Sequence, residues 1–311
     1  REFLAQEYMN ALGIPTTRSL ILLVSQGETV SRPWYTKETR FINPDIIVDS
    51  PVAISTRVAS SFLRIGQLEL FARRVRNNMT NDYQEELNLF VKYLIKRNYQ
   101  LDVNPNHKFD DQVVQLAEIF CQKFISLVVN WIRVGYCQGN FNSDNCSLAG
   151  ITLDYGPFGF CELYDPKFQP WTGGGEHFSF LNQPLAAEAN FQMFLLSLRT
   201  LLKDNNEALE KLNSIKINFP KLMRSKLNHM WTTKLGLQEY DGTLINELFS
   251  LMTISKLDYT KFFRGLSNIP KEISSIENCF YSQCSEDVKN HWNNWLNKWQ
   301  YIINHNMPRI G

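Results

Sequence analysis

Two aspartates and an asparagine stand close together in one short stretch of the 311-residue chain. Asp144 and Asn145 lie in Asn142-Ser-Asp144-Asn145, and Asp154 lies in Leu153-Asp154-Tyr155-Gly156-Pro157. Carboxylate and amide oxygens are hard donors. Such a trio suits Mg²⁺, which takes one or two carboxylates from a protein and fills its octahedron with water and substrate phosphates. The residue types therefore point to chemistry on a phosphate-bearing substrate. Between the two polar ends runs an apolar stretch, Leu148 to Leu153, bounded by Gly150 and the Gly156-Pro157 turn. It reads as a short buried strand that folds its ends toward each other while its middle anchors them in the core.

The elements that must position this stretch can be read from hydrophobic spacing. Residues 2–12 have helical spacing and stop at Gly13, with Pro15 beyond. Residues 19–24 and 51–58 are β-branched or apolar and bounded by turn residues, which predicts two strands of a small sheet around a polar insert, residues 26–49. Arg57 falls where that strand pattern expects an apolar residue, so it either pairs with a carboxylate or faces a ligand. Arg64 follows just before Ile65-Gly66. Helices are predicted over 67–76, 83–97 and 111–134, the last with Asp110 or Asp111 as its N-cap. After the polar stretch comes a Gly- and Pro-rich loop, 160–182, whose Gly173-Gly-Gly175 is not followed by Lys-Ser and reads as a flexible surface loop rather than a phosphate cradle. Further helices are predicted over 184–202, 206–215, 219–234, 241–255, 258–266 and 285–303. The fold class expected is α+β.

Composition narrows the function. Lys plus Arg number 32 against 31 Asp plus Glu, so no basic footprint argues for nucleic acid, and no uninterrupted apolar run argues for a membrane span. Six cysteines without zinc or CxxC spacing fit a reducing compartment. The five histidines show no metal-binding spacing. Trp292, Trp295 and Trp299 form a helical stripe, read as packing of the last helix. Arg73-Arg74-Val-Arg76 reads as a solvated helix face.

A helix and small sheet followed by a helical body holding Asp-Asn and Asp-x-Gly resembles the layout of the protein-kinase-like fold. Asp154-Tyr155-Gly156 stands where kinases have Asp-Phe-Gly, although the His-Arg-Asp is absent and Asn145 directly follows Asp144. A closer resemblance is carried by Gly139-Asn-Phe-Asn142-Ser-Asp144-Asn145 and by Leu153-Asp154-Tyr-Gly-Pro-Phe-Gly-Phe160. It continues in Arg1-Glu2-Phe-Leu-Ala, Leu12-Gly-Ile-Pro-Thr-Thr17, Arg57-Val-Ala-Ser-Ser-Phe-Leu-Arg64-Ile-Gly66, Asn182-Gln-Pro184, Lys234-Leu-Gly-Leu237 and Asp258-Tyr-Thr-Lys-Phe-Phe-Arg264. These stretches are similar to the SelO (YdiU, selenoprotein O) family of pseudokinases, which transfer AMP from ATP to protein hydroxyls.

The resemblance implies a partial N-lobe with a small antiparallel sheet over 1–66 and a large, mostly helical C-lobe over 67–311 with its catalytic and metal segment at 138–160. It implies Asp144 as catalytic base and Asn145 and Asp154 as Mg²⁺ ligands, with Mn²⁺ as the alternative ion. Glu2 would match the helix glutamate that pairs with an ATP-binding lysine, and Arg57 and Arg64 the arginines that hold the far end of the triphosphate. ATP and proteins bearing Ser, Thr or Tyr hydroxyls are the expected partners, with a monomer expected in bacterial cytoplasm, or in mitochondria for a eukaryotic source.

Departures accompany the match. Gln138 stands where many members carry His. The family's glycine-rich segment and nucleotide-binding lysine would precede Arg1, and its C-terminal tail, with a redox-active cysteine or selenocysteine in some members, would follow Gly311, so the chain reads as part of a longer one. Cys279 and Cys284 are read as incidental thiols rather than that switch. Ordinary phosphoryl transfer and a catalytically inactive nucleotide-binding scaffold are the alternative functions.

Overall fold

The helical spacing at the start produces α1 (Glu2–Ala11), and the chain turns away from it at Gly13, where φ is +74°. The structure, a computed structural model, describes residues 1–33, 46–78, 81–171 and 173–306. After α1 comes an antiparallel hairpin, β1 (Arg18–Pro33) and β2 (Ile47–Val58), with Arg18 opposite Val58 and Pro33 opposite Ile47. Both strands are longer than the apolar pattern predicts. Thr29 to Pro33 and Ile47 to Pro51, within or next to the stretch read as a polar insert, pair as well; residues 34–45 of that insert lie outside the described residues. A backbone ladder needs no burial, and here both faces stay open, with Leu20, Ile47 and Ile54 each more than half exposed.

The helical body begins with α2 (Ile65–Asn78) and α3 (Asn81–Asn98), then α4 (Phe109–Arg133). The predicted Asp110 or Asp111 cap of α4 is corrected: Lys108 is the N-cap, with no side-chain bond, and both aspartates lie in the first turn. There they still favour the helix by facing its positive end. α4 is the central post. More than half of its residues are buried, and it packs against α5 (Gln183–Arg199), α6 (Asn206–Lys234) and the short strand β3 (Tyr136–Cys137), which pairs with β4 (Gly159–Phe160). It has the length and apolarity of a membrane span, but 61% of that window is buried inside the molecule, as a core helix requires.

Two further expectations are corrected. Residues 206–215 and 219–234 are one continuous helix, α6, with Pro220 inside it. A proline ring removes one backbone bond, yet Leu212, Phe219, Met223, Met230 and Trp231 are buried on either side of it, and Phe219 stacks on Phe191 at 4.6 Å, so packing carries the helix across the break. Residues 148–153 are not a strand. They form a tight turn closed by an isolated antiparallel bridge between Cys146 and Thr152.

The chain ends in α7 (Gly242–Ser255), α8 (Tyr259–Leu266) and α9 (Glu286–Asn306), the first two capped by Asp241 and Asp258, whose carboxylates accept from Leu244 and Lys261 N–H. The tryptophan stripe is packing, as expected. Trp292, Trp295 and Trp299 are buried, and their indole N–H groups donate to Ser255 Oγ, the Leu244 carbonyl and the Leu235 carbonyl.

Lys234 closes the C-terminal end of α4, donating to the Arg133 carbonyl at 2.7 Å with its ammonium over the Phe263 and Tyr259 rings. Burial, with the Arg133 charge beside it, pushes the ammonium down from 10.5 to about 8. Between these two values the unfolded chain keeps this proton and the folded chain releases it, so stability rises with pH there. Urea unfolding of the wild type and Lys234→Met across that window is expected to show the wild type gaining on the variant as pH rises, with no further gain above about 10.5.

Candidate active site

The polar stretch owes its shape to hydrogen bonds made from its apolar middle. Thr152, fully buried, donates its N–H to Pro15 O at 2.8 Å and accepts from Thr17 N–H at 3.0 Å, while its hydroxyl accepts the Trp131 indole N–H at 2.8 Å. On the other side, Leu148 N–H donates to Leu63 O at 2.8 Å and Ile65 N–H to Cys146 O at 3.0 Å. The turn 146–152 is thus held between the segment after α1 and the segment before α2. With Cys146 opposite Thr152, the residue after Asn145 faces the residue two before Asp154. The polar ends are brought toward each other by a bridged turn rather than by a strand.

Asp144 and Asn145 sit in a single 3-10 turn, Ser143–Asn145, capped by Asn142, whose side-chain oxygen accepts from Asp144 N–H at 3.0 Å. The Asp144 carboxylate is exposed to solvent and lies against Gly66 in the first turn of α2. The Asn145 amide nitrogen donates to Asn140 O at 2.8 Å, which orients the side chain and leaves its oxygen available. Asp154 accepts from Gly156 N–H on one oxygen and from Arg57 Nη1 at 3.1 Å on the other; the same nitrogen donates to Leu153 O at 2.8 Å. The Arg57 side chain, out of place in a strand, therefore pairs with a carboxylate in this structure.

Gln138 fixes the backbone of Asp154. It is buried, its amide donates to Asp154 O at 3.0 Å, and its oxygen accepts the Tyr136 hydroxyl at 2.6 Å. Gln183 supports it, accepting Gln138 N–H and donating to the Tyr136 and Phe180 carbonyls. Next along the chain, the buried Tyr155 hydroxyl meets the Thr16 hydroxyl, and burial pushes its phenol up to about 12. Arg1 donates to Phe158 O and lies over the Phe158 ring, tying the start of α1 to this segment. The Thr16, Thr152, Trp131 and Gln183 supports are not legible in local pattern, because each is an ordinary residue type whose partner is remote in sequence.

The other site residues lie as follows. Arg64 makes no ion pair among the described residues, and its buried Nε has no partner, a cationic donor that an anion would satisfy. Glu2 is exposed in the first turn of α1, with no ion pair among the described residues. Among the described residues no three His, Cys, Asp or Glu side chains converge; the residues expected to hold a cation, Asn145 and Asp154, would offer it one amide oxygen and one carboxylate. That set fits Mg²⁺, which leaves most of its positions to water and phosphate oxygens.

The glycine triplet lies at the surface, as expected, with Gly173 exposed and Gly174 and Gly175 half-buried, but it makes close backbone contacts. A Cβ at Gly174 would come within 2.9 Å of Gly139 O, and one at Gly139 within 1.9 Å of Pro157 O. Glycine permits these close backbone approaches, which set Gly174 against Gly139 and Gly139 against Pro157. A cavity of about 490 Å³ opens next to the 3-10 turn, its lining including Phe141, Asn142, Ser143, His177, Leu185 and Met193. All six thiols are pushed up by burial, Cys279 to about 11, which leaves little reactive thiolate near neutral pH.

Gln138→Leu removes one amide from beneath Asp154 and strands the Tyr136 hydroxyl and the Asp154 carbonyl. An unfolding titration is expected to show a loss of about 1–3 kcal/mol for the buried groups left unpaired, with Tyr136→Phe in the same background restoring part of it.

The family described as "Protein adenylyltransferase SelO" matches residues 1–309. A "Protein nucleotidyltransferase YdiU" from Anoxybacillus flavithermus is 35% identical over 309 residues, covering 97% of this chain and 56% of the relative. One of the same name from Cytophaga hutchinsonii is 33% identical over 298 residues, covering 92% and 53%. The chain spans about half the length of the curated relatives it matches. Similarity that runs through α1, the hairpin, the bridged turn and the helical body alike places this chain in the SelO family.

Proposed function

We propose that the protein transfers AMP from ATP to a Ser, Thr or Tyr hydroxyl of a protein acceptor, on a kinase-like scaffold whose partial N-lobe is residues 1–66. The observation that carries this reading is the pairing of charges around the bridged turn. Arg57 sits on Asp154, and Arg64, with its unpartnered Nε, sits two residues from the glycine that touches Asp144. Two guanidinium groups beside a carboxylate and an amide oxygen suit a triphosphate chelated to a cation.

In this reaction the acceptor oxygen bonds to the α-phosphorus, the bond from that phosphorus to the bridging oxygen of pyrophosphate breaks, and the hydroxyl proton passes to Asp144. The cation, held by Asn145 and Asp154, would supply charge neutralisation of the phosphates. Arg57 and Arg64 stabilise the negative charge that grows on the departing pyrophosphate. When nucleotide arrives, Arg57 can exchange the Asp154 carboxylate for phosphate oxygens, which frees that carboxylate for the cation. Asp144 is exposed, and Asn142 and Ser143 just before it line the 490 Å³ cavity, so an acceptor can reach Asp144 from solvent. The names of the family and of the relatives, an adenylyltransferase and protein nucleotidyltransferases, support the same class of reaction.

The full-length protein, incubated with Mg²⁺ and ATP labelled at either the α or the γ phosphate, tests the reading. Label is expected on protein from the α position alone, to be abolished in Asp154→Ala and to fall by about 10²–10⁴-fold in Asp144→Ala, the usual worth of a general base. Label from the γ position alone would make the protein a kinase; label from neither would leave a nucleotide-binding scaffold.

A further inference from the structure

Gly66 is the second residue of α2 (Ile65–Asn78). Its backbone is not in the left-handed region, unlike Gly13, Gly135, Gly139, Gly150 and Gly236, so any residue could adopt its conformation. Glycine in a helix is moreover less favourable than alanine. What the position does not tolerate is a side chain. A Cβ there would lie 2.1 Å from Asp144 Oδ1, 3.0 Å from its Cγ and 3.4 Å from its Cα. Carbon atoms in favourable contact stand about 3.5–4.0 Å apart, so the backbone contact is tolerable and the carboxylate contact is not.

Neither backbone is free to retreat. Asp144 N–H is tied to the Asn142 side chain, and the segments before α2 and after Asn145 are bonded to each other through Ile65 to Cys146 and Leu148 to Leu63. A methyl at residue 66 must therefore be accommodated by rotation of the Asp144 side chain, which has open solvent to turn into. We propose that Gly66 is a positioning residue for Asp144: its bare Cα is the surface against which the carboxylate rests, and that contact aims the carboxylate at the acceptor hydroxyl. The role rests on Asp144 being the base of the proposed transfer.

The test is Gly66→Ala in the full-length protein, alone and combined with Asp144→Ala. The expected result is a kcat for transfer lowered by about 10- to 100-fold, since a displacement near 1 Å can cost that much. KM for ATP and the melting temperature should match or exceed the wild type's, and Gly66→Ala should cause no further loss once Asp144 is Ala. A wild-type kcat in Gly66→Ala, or an equal fractional loss in both backgrounds, overturns the proposal. A crystal structure of Gly66→Ala reads the rotation directly: a carboxylate turned away from its wild-type direction supports the proposal, and one left in place overturns it. This readout does not depend on which reaction is assayed, so a failure of the transfer reading is told apart from a failure of the positioning role.

Discussion

The buried backbone of Thr152 is the point on which the site depends. Its N–H and carbonyl are bonded to Pro15 and Thr17, and its hydroxyl to the Trp131 indole on the central helix, so one residue joins the segment after α1, the turn and α4. A buried polar group left unpaired is costly, and each of these three bonds is therefore a constraint on where the turn lies. Asn145 and Asp154 inherit their places from it, being one residue before and two residues after the Cys146–Thr152 bridge. The bridged segment needs no strand because the ladder bonds come from two other parts of the chain.

Around this anchor the polar groups separate into two kinds. Those that shape the site are satisfied: Gln138, Gln183 and Asn190 are buried, and each donates to a backbone carbonyl, Asn190 to that of Phe141 next to the turn. Those that would meet substrate are exposed or incompletely paired: Asp144 faces solvent, the Asn145 oxygen is open, and Arg64 Nε is buried without a partner. The site is thus rigid beneath and underused on top, which is the arrangement expected where a charged ligand completes the bonding. Arg57 is the exception. Its bond to Asp154 keeps both charges compensated in the absence of a ligand, and it is partly exposed, so exchanging the carboxylate for another anion does not strand a buried ion.

Much of the helical body was legible in the chain. The periods of α1, α2, α3, α4, α7, α8 and α9, and the tryptophan stripe of α9, come from local spacing, because a helix buries one face and the face repeats every 3.6 residues. The residues proposed to carry the chemistry stand out for a different reason. Asp144, Asn145 and Asp154 are polar residues beside an apolar run, and Arg57 interrupts a strand pattern; such conflicts between a residue type and its surroundings mark functional positions.

What local pattern did not hold was decided by partners far away in sequence. Residues 148–153 are apolar because they are buried, and burial alone does not distinguish a strand from a turn; the bonds from Pro15, Thr17 and Leu63 made it a turn. α6 runs through Pro220 because buried side chains on both sides hold it against α4 and α5, a gain that no reading of proline alone contains. The sequence by itself determined which residues carry charge and oxygen donors and which segments are helical, since these follow from residue type and short-range spacing. Only the tertiary structure decided that Arg57 meets Asp154 across 97 positions and that Gly66 meets Asp144, because such contacts depend on how the buried backbone is bonded between segments.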